Sequence, residues 1–474
     1  MLTRAMPMLA PPLGWPRLPA AAAADRASSR RESAYYVGFL MSLLLCWCPY
    51  KAAAYAAPAL CIAWVILAGR SVATFRRVMA TGLVAGGVIV GHLLLNDVFV
   101  LSSALVAVAT YSGMTVLWVF PGRDLRSPRL LSRMTDATCI MLMLQCVVGY
   151  VQAIYGYLAA GTFDGANGDI VQGTIYPFLR GDGAFANPMY SASVALMTLS
   201  LMPGARVRKK YALAVSMGAV ALVLASVLHQ LTFLALALGL AYLWSRPRLR
   251  LSRAAVILGT FIVLTVLLSV ALLPGNLATF RSIVAEFLAG HSPRRTIVER
   301  VIHDMPASYP YMPLVGVGPG QFSSRAALMN TGFYFGTPLA PKDFSPFLQN
   351  AIPEPMRESL LPLWIRNTGM KYYGSSQKPY FTWLSVYTEF GGIGLLMVLG
   401  AIGVALWRLP RRAKDLQLGL LSFSSAAMIL FVALIAFQEN YWEVPQAVLP
   451  GLLLARTIYA QATGRQARMG DKRA

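Results

Sequence analysis

Apolar runs long enough to cross a bilayer recur along this chain, and short basic clusters separate them. The runs lie near 34–48, 52–69, 78–95, 98–120, 134–160, 186–202, 211–227, 230–244, 254–273, 381–407, 416–437 and 445–461. In hydrocarbon no water is present to pair exposed N–H and C=O groups, so each run has to satisfy its own backbone as an α-helix. A straight span takes roughly 20 residues. The expectation is an all-α membrane protein with about twelve transmembrane helices. Composition agrees with that class. The 474 residues are 57% hydrophobic and only 13% charged, too little polar surface for a soluble chain of this length.

The charge excess, 41 Lys+Arg against 19 Asp+Glu, would suggest nucleic acid in a soluble protein. Here the basic residues gather between alternate runs instead: at Arg70–Arg77, Arg123–Arg133, Arg206–Lys210, Arg246–Arg253, Arg408–Lys414 and Arg456–Arg473. That is the pattern of cytoplasmic loops, and twelve spans put every cluster and both termini on one side. No nucleic-acid partner is expected. All five cysteines fall inside apolar runs, which excludes a disulfide framework and a Cys/His metal site. Residues 1–33, Ala/Pro-rich and without a long apolar core, read as a disordered basic cytoplasmic tail. The expected organisation is then nine spans over 34–273, a large outer loop over 274–380, three spans over 381–461, and a cytoplasmic tail over 462–474.

Two outer segments, about 161–185 and 274–380, exceed turn length, and loops of that size are usually functional. Within the second, a short helix is expected around Thr296–His303, closed by Pro306, with 338–362 irregular. Arg180, Arg281, Arg294 and Arg295 run against the bias that places basic residues on the other side. Guanidinium groups bind phosphate or pyrophosphate bidentately and never deprotonate. The alternatives are pairing with Asp182, Glu286 or Glu299, or contact with lipid headgroups. His229-Gln230 marks the apex of a hairpin. Gly316-Val-Gly-Pro-Gly320 lacks the strand-to-helix context of a nucleotide loop, and Pro319 removes one N–H, so it reads as a tight packing loop. Glu389, beside Gly391, Gly392 and Gly394, could serve packing or chemistry. The outer loops contain no Asp-x-Asp pair and no histidine cluster, so no metal site is expected.

Taken in order, these pieces resemble the O-antigen ligase and polymerase (Wzy-type) superfamily of membrane glycosyltransferases. Arg180-Gly-Asp-Gly-Ala-Phe-Ala-Asn-Pro188 is similar to the family's Arg and Gly-Phe-x-Asn-Pro helix start. Arg295 with Pro313-Leu-Val-Gly-Val-Gly-Pro-Gly-Gln-Phe322 is similar to its glycine-rich stretch, and Leu384…Glu389-Phe-Gly391-Gly-Ile-Gly394 to its Leu…Glu-x-Gly-x-x-Gly helix start. Two positions depart from it: Tyr380-Phe381 stands where ligases carry His-Asn, and the hairpin Leu228-His229-Gln230 lacks the family's arginine. The absent histidine favours a polymerase of exopolysaccharide, capsule or O-antigen repeat units over a ligase. The resemblance implies metal- and cofactor-independent transfer of glycan from undecaprenyl pyrophosphate at the periplasmic face of the bacterial inner membrane. Its implied partners are the lipid-linked oligosaccharide, membrane lipids, and a chain-length regulator and flippase of the same pathway. Catalytic candidates are Arg180, Arg295, Tyr380, Glu389 and Asp182; Arg294, Arg281, His229, His303 and Arg325 are candidates for substrate binding. The competing readings are a ligase and, from another class, a transporter or flippase for a lipid-linked sugar.

Overall fold

The computed structural model describes residues 19–161, 170–176, 183–245, 267, 274–334, 341, 351–366, 378–411 and 415–471. Among the described residues every regular element is helical. The longer ones are α1 (Pro19–Cys46), α2 (Lys51–Leu67), α3 (Val72–Leu95), α4 (Leu101–Thr110), α5 (Ser112–Val119), α6 (Pro128–Ala160), α7 (Gly183–Ala205), α8 (Lys209–Leu224) and α9 (Leu228–Ser245). Then follow α10 (Pro274–Leu288), α11 (Pro293–Glu299), α12 (Thr382–Trp407), α13 (Leu416–Ile435) and α14 (Pro445–Asp471).

Helix limits follow local chemistry. Ser127 caps α6 by accepting from Leu130 N at 3.2 Å, Pro128 occupies its first turn, and Gly161 ends it with φ 70°. Asp415 accepts from Gln417 N and Leu418 N at the start of α13. The segment expected to be a disordered tail is helical from Pro19 onward. Its charges have partners: Arg30 Nε donates to Ala68 O at 2.6 Å, Arg31 pairs with Asp124 at 3.5 Å, and Glu32 accepts from Ser127 Oγ at 2.8 Å.

The structure departs from the expected span count. Five described helices, α3, α6, α9, α12 and α13, are long and apolar enough to cross a membrane; α4 and α5, bent by 53° at their junction, make a sixth if they are one span. The runs at 52–69 and 211–227 are realised as α2 and α8, of 17 and 16 residues. The runs at 186–202 and 445–461 lie within α7 and α14, in the middle of the bundle. Those helices bury Asn187, Ser191, Ser193, Gln446, Thr457 and Gln461 among their neighbours. A helix walled in by other helices can carry amides and hydroxyls that a lipid-facing one cannot. Apart from Leu267, the run at 254–273 lies outside the described residues.

The bundle has two chemically distinct ends. At one, the basic clusters meet: Arg31 with Asp124, Arg208 and Lys210 with Asp136, Arg411 over Trp244 and Trp407, Arg465 with Gln417. At the other lie the 170–176 segment, the α8–α9 turn with Ser226 at φ 57°, and the residues between α10 and α12. Gln152 pins the first of these, its Oε1 accepting from Gln172 N and Gly173 N at 2.8 Å each.

The segment between α9 and α12 is not a bare loop. The expected helix at 296–303 is part of a longer helical stretch, in which α11 continues through a π turn (Arg300–Asp304) into Met305–Ser308, and Pro306 lies inside the final turn. Helical turns at Met312–Val315, Arg325–Asn330, Met356–Leu360 and Leu361–Arg366 complete it, so its described part is helical from Glu354 where irregular chain was expected. Ile297, Val301, Met305, Met312, Phe322, Leu328, Met356 and Leu360 give this layer an apolar core of its own.

Candidate functional site

The site is built on a contact between two glycine-bearing backbones. α12 breaks at Gly391 (φ 67°, ψ −169°), which frees the carbonyls of Thr388 and Glu389. Val317 N donates to the first at 2.8 Å and Gly318 N to the second at 3.1 Å. A Cβ on Gly316 would collide with the Glu389 carbonyl, and one on Gly391 with the Leu314 carbonyl. Both glycines also hold positive φ, so close approach and backbone conformation each require them.

Two buried carboxylates then organise the turn that follows. Glu389 Oε2 accepts from Gly320 N at 2.7 Å. Its Oε1 accepts from Phe322 N and Ser323 N at 3.2 Å and from Ser324 N at 3.0 Å. Glu443 Oε1 accepts from Arg325 N at 3.0 Å, and its Oε2 accepts from Ala326 N at 3.2 Å and Thr110 Oγ1 at 2.8 Å. The concavity of N–H groups that could cradle a phosphate is thus filled by side chains of the chain itself. Its product is the placement of Arg325. Burial, and then the neighbouring charge of Glu389, raise the Glu443 carboxyl to about 7.

Arg325 is fully buried, and its Nη2 pairs with Glu439 Oε1. Its guanidinium lies 4.9 Å from the Tyr334 ring centroid. Among the described residues its Nε and Nη1 have no hydrogen-bond partner. Burial opposes its charge, but Glu439 outweighs that and holds the guanidinium protonated. Lys378 Nζ is 3.9 Å from the same Glu439 oxygen. Arg294, half-buried, donates from Nη1 to Phe437 O at 3.0 Å, from Nη2 to Gln438 O and from Nε to Lys378 O at 3.1 Å. The 437–441 strap is tied down by Thr382 Oγ1, which donates to Glu439 O at 2.8 Å, and by Asn440, whose Nδ2 donates to Ser323 O. Tyr380 is buried against Trp364, ring centroids 5.3 Å apart. Burial and Glu439 push its hydroxyl far above the ordinary tyrosine range, so it is a donor and not a base. Among the described residues Glu439 is thus the carboxylate that Arg325 and Lys378 approach, while Glu389 and Glu443 are committed to backbone N–H groups.

Of the residues singled out from sequence, Arg294, Arg325 and Tyr380 come together here. His229, in the first turn of α9, lies within electrostatic reach of Arg294, and its Nε2 is buried with no hydrogen-bond partner among the described residues. Arg295 faces outward, one residue round the helix from Arg294, paired with Glu299 at 2.8 Å. Arg281 and His303 are exposed. Glu389 is present as the organiser of the turn. Arg180 and Asp182 lie outside the described residues. Sequence reasoning missed Lys378, Glu439 and Glu443. The last two stand in Gln438-Glu-Asn-Tyr-Trp-Glu443, two carboxylates between apolar runs of a chain with only 19 acidic residues, and that local density was a usable signal. Among the described residues no group of three or more His, Cys, Asp or Glu could hold a metal ion.

No protein-family model matches the chain, and the searches of curated proteins and of solved structures found no match.

Proposed function

We propose that this chain is a bacterial inner-membrane glycosyltransferase that polymerises polyprenyl-pyrophosphate-linked oligosaccharide repeat units at the periplasmic face. The observation that carries the reading is the buried Arg325: its Nε and Nη1 are unused among the described residues, where its one ion-pair partner is Glu439, which Lys378 also approaches. A buried guanidinium with two donor atoms to spare fits an anion as their further partner. In the reaction the bond between the anomeric carbon and the pyrophosphate oxygen breaks, and an acceptor sugar hydroxyl bonds to that carbon from the opposite face. The pyrophosphate leaves with the bonding electrons, and the hydroxyl's proton passes to a pyrophosphate oxygen or to solvent. Arginine and lysine donors aimed at its oxygens stabilise the charge as it develops, and supply without a metal what a divalent cation would otherwise give. Tyr380, a permanent donor, can hydrogen-bond a sugar or phosphate oxygen but cannot take the acceptor's proton.

A polymerase is favoured over a ligase because Tyr380 stands where the resembled ligases carry histidine. A carrier of lipid-linked sugar is the second reading, favoured by the broken helix at Gly391, since discontinuous helices line transport sites. Against it, the carbonyls freed at the break are already taken by Val317 and Gly318. The experiment is polymer synthesis by membranes carrying Arg325→Ala or Arg325→Lys. Both should accumulate single lipid-linked repeat units with little polymer, a loss on the order of a hundredfold or more, while Arg208→Ala at the opposite end of the bundle stays near wild type. Normal polymer from Arg325→Ala would sink the enzyme reading of this cluster.

A further inference from the structure

The basic end of the bundle contains a second cluster, whose charges are not balanced among the described residues. Arg77 on α3 donates from Nη1 to Trp118 O at 3.0 Å and to Phe120 O at 3.4 Å. Arg456 on α14 donates from Nη2 to that same Phe120 oxygen, at 3.2 Å. Two guanidinium groups therefore converge on one neutral carbonyl. Arg126 comes close enough to act on Arg456 electrostatically, as does Arg77. Asp124, the nearby carboxylate, is already engaged by Arg31 at 3.5 Å and Arg123 at 3.8 Å. Among the described residues none of Arg77, Arg126 and Arg456 has an ion-pair partner, and the buried Nε of Arg456 has no hydrogen-bond partner.

Capping of the α5 C-terminus accounts for one arginine on these carbonyls, not for two with a third behind them. Like charges gathered near a membrane surface are relieved by an anion, and the guanidinium fork suits phosphate oxygens. The surroundings say which phosphate. α3 is almost wholly unburied within the protein, with Phe75 and Met79 exposed beside Arg77. Trp118 is 65% exposed and its ring lies 5.7 Å from the Arg77 guanidinium. Tryptophan beside arginine at the end of apolar helices marks the headgroup level of a bilayer, with acyl chains adjacent.

We propose that Arg77, Arg126 and Arg456 form a binding site for the phosphate of an anionic phospholipid, its chains lying along the exposed face of α3 and α5. This site is independent of the catalytic reading, because it lies at the other end of the bundle and its test needs no turnover.

The full chain, purified in neutral detergent, is titrated with phosphatidylglycerol, phosphatidylcholine or inorganic phosphate, and followed by native mass spectrometry and thermal unfolding. Phosphatidylglycerol should be retained at least tenfold better than phosphatidylcholine and should raise the Tm. The Arg77→Gln/Arg456→Gln variant should lose that preference. Should it fail to fold, the exposed Arg126→Gln variant replaces it and should weaken retention severalfold. Equal retention of the two lipids, or an unchanged preference in the variants, overturns the site. An equal Tm rise from inorganic phosphate alone overturns the lipid assignment.

Discussion

Glu443→Gln is the most discriminating perturbation of the turn that carries Arg325. The carboxylate accepts from two backbone N–H groups and one hydroxyl while fully buried, and its pKa is raised from 4.5 to about 7. The sign follows from linkage. Between pH 4.5 and about 7 the folded protein holds a proton that the unfolded chain has released, so stability falls as pH rises through that window. At about 1.4 kcal/mol per pH unit the ionised group costs about 3 kcal/mol relative to its protonated form. Function runs the other way. The ionised carboxylate offers an acceptor to both N–H groups, whereas the acid offers one oxygen fewer and loosens the turn beneath Arg325. Wild type should therefore lose Tm between pH 4.5 and about 7 in detergent, while its polymer-forming rate rises as the pH passes through about 7. Glu443→Gln, held in the acid-like hydrogen-bonding state, should show a low rate and should lack the step that the Glu443 carboxyl contributes to both curves. A wild-type Tm independent of pH, or an undiminished slope in the glutamine variant, would refute this account of the turn.

Glu439→Ala leaves Arg325 buried without its counter-charge, a defect of about 3–5 kcal/mol, so the protein level in membranes should fall sharply, measured by immunoblot. Gly391→Ala forces a side chain into the Leu314 carbonyl at positive φ and should destabilise the fold by more than the roughly 1–2 kcal/mol of an ordinary left-handed alanine, read as a lowered Tm. Reporter fusions should give a cytoplasmic signal at Arg208 and a periplasmic one at Asn330; a cytoplasmic signal at Asn330 removes the proposed reaction from the face where it is placed.

The helical class was legible because apolar runs leave the backbone no alternative. The span number was not, because hydropathy scores a run without its neighbours: α7 and α14 carry the buried amides and hydroxyls of a helix enclosed by protein. The glycine loop could be read as a packing loop from Pro319 and the missing strand, yet its partner across the contact, Gly391, is 75 residues away and nothing local announces it. The sequence placed Arg295 among the catalytic candidates and Arg294 among the binding ones, whereas helical phase turns Arg294 to the 437–438 carbonyls and Arg295 to Glu299. Glu439 and Glu443 sit between apolar runs, and their partners at Arg325 lie 114 and 118 residues away along the chain, so no local pattern pairs them.

The weld between Gly316 and Gly391 has a mechanical consequence. The N-terminal half of α12 is clamped to the turn of Arg325 by Val317, Gly318 and the Glu389 carboxylate, while the half beyond the break rests on the bundle by one face, through Leu395, Val398, Ile402 and Leu406. A lever free at one side and fixed at its fulcrum transmits tilt. A change in bilayer thickness that tilts this 26-residue helix would thereby move the guanidinium of Arg325.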